Sequence, residues 1–308
     1  MARKPGWRCC GWLAALLVAP APAAGQAVAL DREFVRTSRN RAVLQLHFTI
    51  DKAHKNPNPV SRNGEDGDLH MAGRSAEVGL PLVVEIVNAG KNPQKPARDF
   101  VRLNTGTDQA VPLAGAWRLW FEHPPAGLQV QNPNVPKPAG TNPDHVYEIH
   151  PVTQIGPVSI LSSFVPIAGF EAYDADTAFS YYESLDLTVQ SGPSRVLLGA
   201  KKAKYNYAEF RIELTRKPRE IADGYTVMAK VLDLEGNPVA TSGARRMVFV
   251  GGTAPAERVR NLTKGDRLHV LGIPRINLDL IWRFARDPVP PTVVKLPYEM
   301  IIVGVFPD

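Results

Sequence analysis

The apolar residues of this chain fall into many short alternating runs and form few helical stripes. In residues 42–50, Leu44, Leu46, Phe48 and Ile50 share one face and Gln45, His47 and Thr49 the other. That period of two is the mark of a half-buried strand. Further strands are expected at 68–73, 80–87 and 116–122. Another is expected in 142–152, which reads Asn-Pro-Asp-His-Val-Tyr-Glu-Ile-His-Pro-Val. The second half adds 185–190, 194–198, 207–214, 225–232, 245–250, 268–271 and 300–305. Lys55-Asn56-Pro57-Asn58-Pro59 and the Pro/Lys/Asn segment 90–97 read as loops. One helix is expected over 170–183, where Asp174 or Asp176 can cap it and Ala178, Tyr181, Tyr182 and Leu185 supply an apolar face. The 28 prolines and 24 glycines, scattered throughout, suit many short strands joined by loops.

The two halves contain similar pieces in similar order. Asp66-Gly67-Asp68-Leu69-His70-Met71-Ala72 matches Asp223-Gly224-Tyr225-Thr226-Val227-Met228-Ala229 at both ends. Val84-Glu85-Ile86-Val87 meets Met247-Val248-Phe249-Val250, and Tyr147-Glu148-Ile149-His150 meets Tyr298-Glu299-Met300-Ile301. The expected architecture is therefore mostly β, as two OB-like barrels or alternatively β-sandwiches. They would form a degenerate tandem repeat, with one short helix between them. The division is residues 28–155 and 156–308, each unit near the common domain size. Leu262-Thr263-Lys264-Gly265-Asp266-Arg267-Leu268 reads as a turn entering a strand, as in OB hairpins.

Residues 1–23 read as a signal peptide. Arg3, Lys4 and Arg8 precede a short run rich in Leu and Ala, and Ala21-Pro22-Ala23 gives an A-x-A cleavage pattern. Both cysteines, Cys9 and Cys10, lie within it, so the remainder has no disulfide or thiolate chemistry. A bacterial periplasmic or secreted setting is expected, with no transmembrane segment. Loss of those three basic residues leaves 33 basic against 30 acidic, a net charge of +3. So mild a balance argues against nucleic acid as partner.

Candidate chemistry lies in the first half. Residues i and i+2 of a strand share a face, so Asp68 projects with His70, and Glu148 with His150. Two imidazoles and two carboxylates on one patch suit Zn²⁺ or a similar divalent metal. Glu85, His123 and His145 are candidate further ligands or orienting partners. The matching positions of the second half are Tyr225, Val227 and Ile301, with only Glu299 polar, so the fold itself does not require the cluster. A hydrogen-bonded network pinning strands, with Arg74 or Arg118 as the cation, is the competing account. Trp117 and Trp120, three apart, are expected on opposite faces, one in the core and one at a pocket rim. Tyr181, Tyr182, Tyr205 and Tyr207 are expected in packing, and Arg245-Arg246 and Lys201-Lys202 on solvated edges. No serine-hydrolase elbow, P-loop, dinucleotide fingerprint or H-E-x-x-H motif is present.

Glu65-Asp66-Gly67-Asp68-Leu69-His70, Val84-Glu85-Ile86 and Tyr147-Glu148-Ile149-His150-Pro151-Val152 resemble a signature of small exported bacterial β-domains, D-x-H … E-I … E-[LI]-H-P-V. The resemblance spans residues 42–152. It implies an OB-like domain, a domain boundary and an exported setting, and supplies no mechanism. The long Pro/Asn loops and the whole second half depart from it. The expected function is an envelope or extracellular binding or accessory protein for a divalent metal or small polar ligand. A metal-dependent hydrolase, with Glu148 or Glu85 as general base, and an OB-type nucleic-acid binder are the alternatives.

Overall fold

The computed structural model describes residues 26–61, 65–239 and 243–307. The leader segment 1–23 lies outside the described residues. Strands dominate, and two of the sheets each close into a five-stranded barrel.

In the first barrel, strands one to five are Val43–Ala53, Leu69–Arg74, Leu82–Ile86, Ala110–His123 and His145–Ile155. The first three form an antiparallel meander, strand three pairs in parallel with strand five, and strand four closes the circle between five and one. The second barrel repeats this with Ala208–Leu214, Gly224–Leu232, Arg245–Val250, Arg267–Ile276 and Tyr298–Val305. Both are OB-like. Each carries a helix between strands three and four, Lys95–Asn104 and Ala254–Val259.

The strand registers coincide between barrels. Arg118 faces Glu148 as Arg275 faces Glu299, and Val84 faces Ile149 as Met247 faces Met300. In strand two the structural match differs by one residue from the motif match. His70 pairs with Glu85 and Thr226 with Val248, so the counterpart of His70 is Thr226, not Val227. A one-residue slip exchanges the faces of a strand, and Val227 is buried in the core as Met71 is.

A third, five-stranded sheet was not anticipated. Its order is Val289–Lys295, Asp186–Ser191, Arg195–Gly199, Ala27–Asp31 and Leu128–Val130. It draws strands from both sides of residue 155 and ties the halves together. Pro290 and Pro291 sit in its edge strand, where no ladder donor is missed.

Five α-helices occur among the described residues, where one was expected. The expected one is Ala175–Ser184, with Asp174 accepting from the Thr177 amide as its N-cap. Lys95–Asn104 begins inside the segment read as a loop. Its proline stands at the start, where it favours a helix, and it buries only Ala97 and Val101, one turn apart. That stripe is too narrow to show against polar neighbours. Trp117 and Trp120 are both buried, so neither forms a pocket rim. Arg245 and Arg246 are largely covered and paired with Glu183 and Glu299 rather than solvated. No helix among the described residues is long and apolar enough to cross a membrane.

One apolar cluster runs through both barrels and under the third sheet. A second lies between the barrels, joining Val87 and Ala116 to Val248, Ile273 and Ile301. The barrels approach through their fourth strands. Arg118 Nε donates to Pro274 O at 3.1 Å and Arg275 Nη1 to Trp117 O at 3.0 Å, a reciprocal pair of contacts at equivalent positions.

Gly115 and Gly272 occupy matching places on strand four. A Cβ on Gly115 would lie 2.3 Å from Ile149 Cγ2 and 2.8 Å from Pro151 O, whereas on Gly272 its nearest neighbour is 3.1 Å away. We expect Gly115→Ala to cost about 2–3 kcal/mol in urea unfolding, the upper range for overpacking, and Gly272→Ala about 1 kcal/mol or less. Equal losses would contradict this packing.

Candidate functional site

Alternation along the strands sorts the first barrel's residues by face. Leu69, Met71, Val84, Ile86, Tyr147 and Ile149 enter the apolar core, leaving His70, Glu85, Glu148 and His150 on the outer face. Strands two and five are not neighbours, because strand three runs between them. The D-x-H and E-x-H pairs therefore meet across Glu85.

Glu85 is the centre of the cluster. Its Oε1 lies 2.5 Å from His70 Nε2 and its Oε2 2.6 Å from His150 Nδ1. Neither approach is an aligned hydrogen bond, and His150 Nδ1 and His70 Nδ1 have no hydrogen-bond partner among the described residues. Asp68 Oδ2 stands 3.4 Å from His70 Nε2 and is likewise buried without a hydrogen-bond partner. Asp68 Oδ1 accepts from Asn58 Nδ2 at 2.9 Å. Donor atoms of Asp68, His70 and Glu85 form one group compact enough to hold an ion, and those of Asp66, Glu85 and His150 a second that shares Glu85.

Glu148 stands one step behind. It accepts from Arg118 at 2.6 Å and lies 3.0 Å from His145 Nε2, but 3.6 Å from His150. Arg118 also reaches Glu122 and Asn206, and Asn206 donates to Glu122 in turn. His123, half exposed, stacks on His145 with ring centres 5.2 Å apart and does not approach Glu85. Arg74 pairs with Asp51 and Asp108, away from the cluster.

Loops close the outer side. His54 stacks on His70 at 5.4 Å and bonds Asn58 and Thr141, joining the loop after strand one to the loop before strand five. Tyr207, from the approach to the second barrel, places its hydroxyl 2.7 Å from His150 Nε2. The sequence placed Tyr207 in packing and Asn58 in a proline-broken loop, and nothing in their spacing tied either to the cluster. Asp66 was visible in the acidic motif, two residues before Asp68, but it precedes the strand Leu69–Arg74 in which alternation assigns faces.

Burial and charge set the proton inventory. Burial alone would push a carboxyl up, yet His150 and His70 hold Glu85 well below its ordinary range, and Arg118 does so for Glu148 with His145 and His150. For the imidazoles burial works downward and is overcome: Glu85 raises both His70, to about 10, and His150. Asp68 goes the other way for a carboxyl. Burial first, then Glu85 and Asp66, push it up to about 9. The surroundings therefore favour protons on Asp68, His70 and His150 and the ionised form of Glu85.

No protein-family model matches this chain, and no characterised protein aligns with it significantly.

The linkage has a definite sign. Glu85 and Glu148 contribute stability that is present above the ordinary carboxylate range and lost on acidification. His70 contributes stability that is complete below pH about 6.5 and lost as pH climbs through its raised pKa. Asp68 keeps its proton in the folded state where the unfolded chain has released it, so stability also falls with pH from about 4 upward until Asp68 ionises. In chelator, the urea midpoint should drop between about pH 6.5 and about pH 9. Asp68→Asn should flatten that slope and add on the order of 1 kcal/mol at its alkaline end. A slope identical in parent and variant would count against this assignment.

Proposed function

We propose that the chain is an exported binding protein that holds a divalent cation, Zn²⁺ or a similar ion, through Asp68, His70, Glu85 and His150. The observation that carries this reading is the convergence of two imidazoles on one carboxylate beside a buried carboxylate oxygen that has no hydrogen-bond partner. A network built only to pin strands is expected to satisfy its buried polar atoms. The inner half does so: Arg118, Glu148, His145, Glu122 and Asn206 bond one another. The outer half leaves donor atoms of Asp68 and both histidines unused.

Neutral imidazole and carboxylate oxygen are the donors Zn²⁺ prefers. Tyr207 and Asn58 would orient His150 and Asp68 from behind, the role outer partners play at metal sites. The cation would take the place of the protons on Asp68 and the imidazoles. Binding and orientation fit better than turnover, because Asp68, Glu85 and His150 are buried and His70 is only partly exposed, leaving little room for a substrate beside the ion. The acidic lining also disfavours a nucleic-acid backbone. Export rests on the leader pattern of residues 1–23.

Protein purified without an affinity tag and stripped with chelator should take up one equivalent of Zn²⁺, read by competition with a chromophoric chelator and by elemental analysis. Affinity should rise between about pH 6 and about pH 8 as protons are displaced. Asp68→Asn should weaken binding about 10–100-fold, and a His70→Ala, Glu85→Gln double variant should abolish it while retaining its circular dichroism. Absence of stoichiometric uptake by the parent, or uptake indifferent to both variants, would sink the reading.

A further inference from the structure

The equivalent face of the second barrel is lined quite differently. A cavity of about 270 Å³ lies over its second and third strands, bounded by Arg216, Arg219, Thr226, Arg246, Arg283 and Tyr298. Arg219 is the cross-strand partner of Thr226, and Met228 of Arg246, so Arg219, Thr226 and Arg246 share one face. Thr226 and its neighbour Val248 occupy the register of His70 and Glu85. At the cluster's own positions the second barrel presents a threonine and apolar side chains, and the guanidinium groups of Arg219 and Arg246 stand beside them on the same face.

The cavity has a fixed floor and a charged rim. Arg246 is held at the floor by Glu299, at 3.1 Å, and by the carbonyl of Arg39. Arg283 is anchored by Asp279 at 2.5 Å, and Asp279 is the only carboxylate among the lining residues, against five arginines. Arg216 and Arg219 are exposed and form no ion pair among the described residues. Thr226, nearly buried, offers a hydroxyl that makes no hydrogen bond among the described residues. Planar guanidinium forks pair bidentately with phosphate and carboxylate.

We propose that this cavity binds a small, multiply charged anion bearing phosphate or carboxylate groups, with Arg216 and Arg219 gripping it from the rim and Arg246 and Thr226 from the floor. The volume sits near the lower end of small-molecule sites, which run from about 300 Å³ upward. Single-stranded nucleic acid fits less well, because binding it calls for exposed rings on which bases stack. Tyr298, the only aromatic lining residue, is buried with the Arg245 guanidinium 4.8 Å from its ring centre. The proposal uses no residue of the first barrel's cluster and stands without it.

Calorimetric titration of the chelator-stripped full chain with pyrophosphate, and separately with citrate, tests this and tells phosphate from carboxylate. One-to-one binding of either anion is expected, weakened at least about tenfold in an Arg216→Ala, Arg219→Ala double variant, the loss of two charge-assisted contacts. It should be unchanged in an Arg36→Ala, Arg102→Ala control, which removes two exposed arginines elsewhere. His70→Ala should also leave it unchanged. Three outcomes overturn the proposal: no saturable binding of either anion, equal weakening in both double variants, or an oligothymidylate that binds more tightly and is not displaced by the anion.

Discussion

Two buried guanidinium groups set the frame on which everything else rests. Arg118 and Arg275 stand at the same position on strand four of their barrels, and each pairs with the glutamate opposite on strand five. Each also donates to a carbonyl of the other barrel, at the residue preceding its twin. Arg275 further bonds the carbonyl of Arg41 and lies 3.6 Å over the Trp117 ring. A charge withdrawn from water is tolerable only when paired and fully hydrogen-bonded. Neither arginine reaches its full set of partners within its own barrel. Docking of the barrels is therefore a condition for burying these charges at all, which couples closure of strands four and five to the inter-barrel contact.

That frame explains why the equivalent faces could diverge. Glu148 and Glu299 are both committed to the frame, since each neutralises its arginine. The positions around them are not. In the second barrel, Val248 and Ile301 stand at the places of Glu85 and His150 and enter the apolar cluster between the barrels. In the first, Glu85 and His150 turn toward His70, Asp68 and the loops. Apolar side chains at these register positions complete an interface without help. The polar set is thus not something the repeat needs in order to fold, and its orphaned donor atoms leave it less satisfied than a structural network would be.

Alternation made the barrel strands legible, because one face of each strand enters a common core. Their ends ran long or short where loops extend the pairing, as in Ala110–His123 and Arg267–Ile276. The third sheet was hidden for a physical reason. Two of its strands, Asp186–Ser191 and Arg195–Gly199, were legible one by one, but the edge strand Val289–Lys295 holds two prolines, and Ala27 pairs with Gly199 about 170 residues away. No local pattern encodes such pairing. The strand-two register was misplaced because Asp-Gly occurs at both Asp66 and Asp223. The match of those dipeptides set His70 against a core valine. The burial period of Met71 and Val227 carries the true register, and it outweighs a shared turn dipeptide, because a single-residue slip would expose every core side chain of the strand.

The centre of the first barrel's cluster shows where reading by spacing stops. Periodicity assigns Asp68, His70, Glu148 and His150 to faces, but it is silent on which strands are neighbours. Two histidine–carboxylate pairs invite the assumption that their strands adjoin. Closure of the barrel in the order one, two, three, five, four forbids it, because strand three must lie between two and five. Whatever side chain strand three presents opposite His70 then becomes the bridge, and that residue is Glu85. Glu148, meanwhile, is drawn toward strand four by Arg118 and leaves the meeting point. Given the barrel order, the central role of Glu85 follows from the sequence by counting from the His70 pair. Without that order, no spacing argument reaches it.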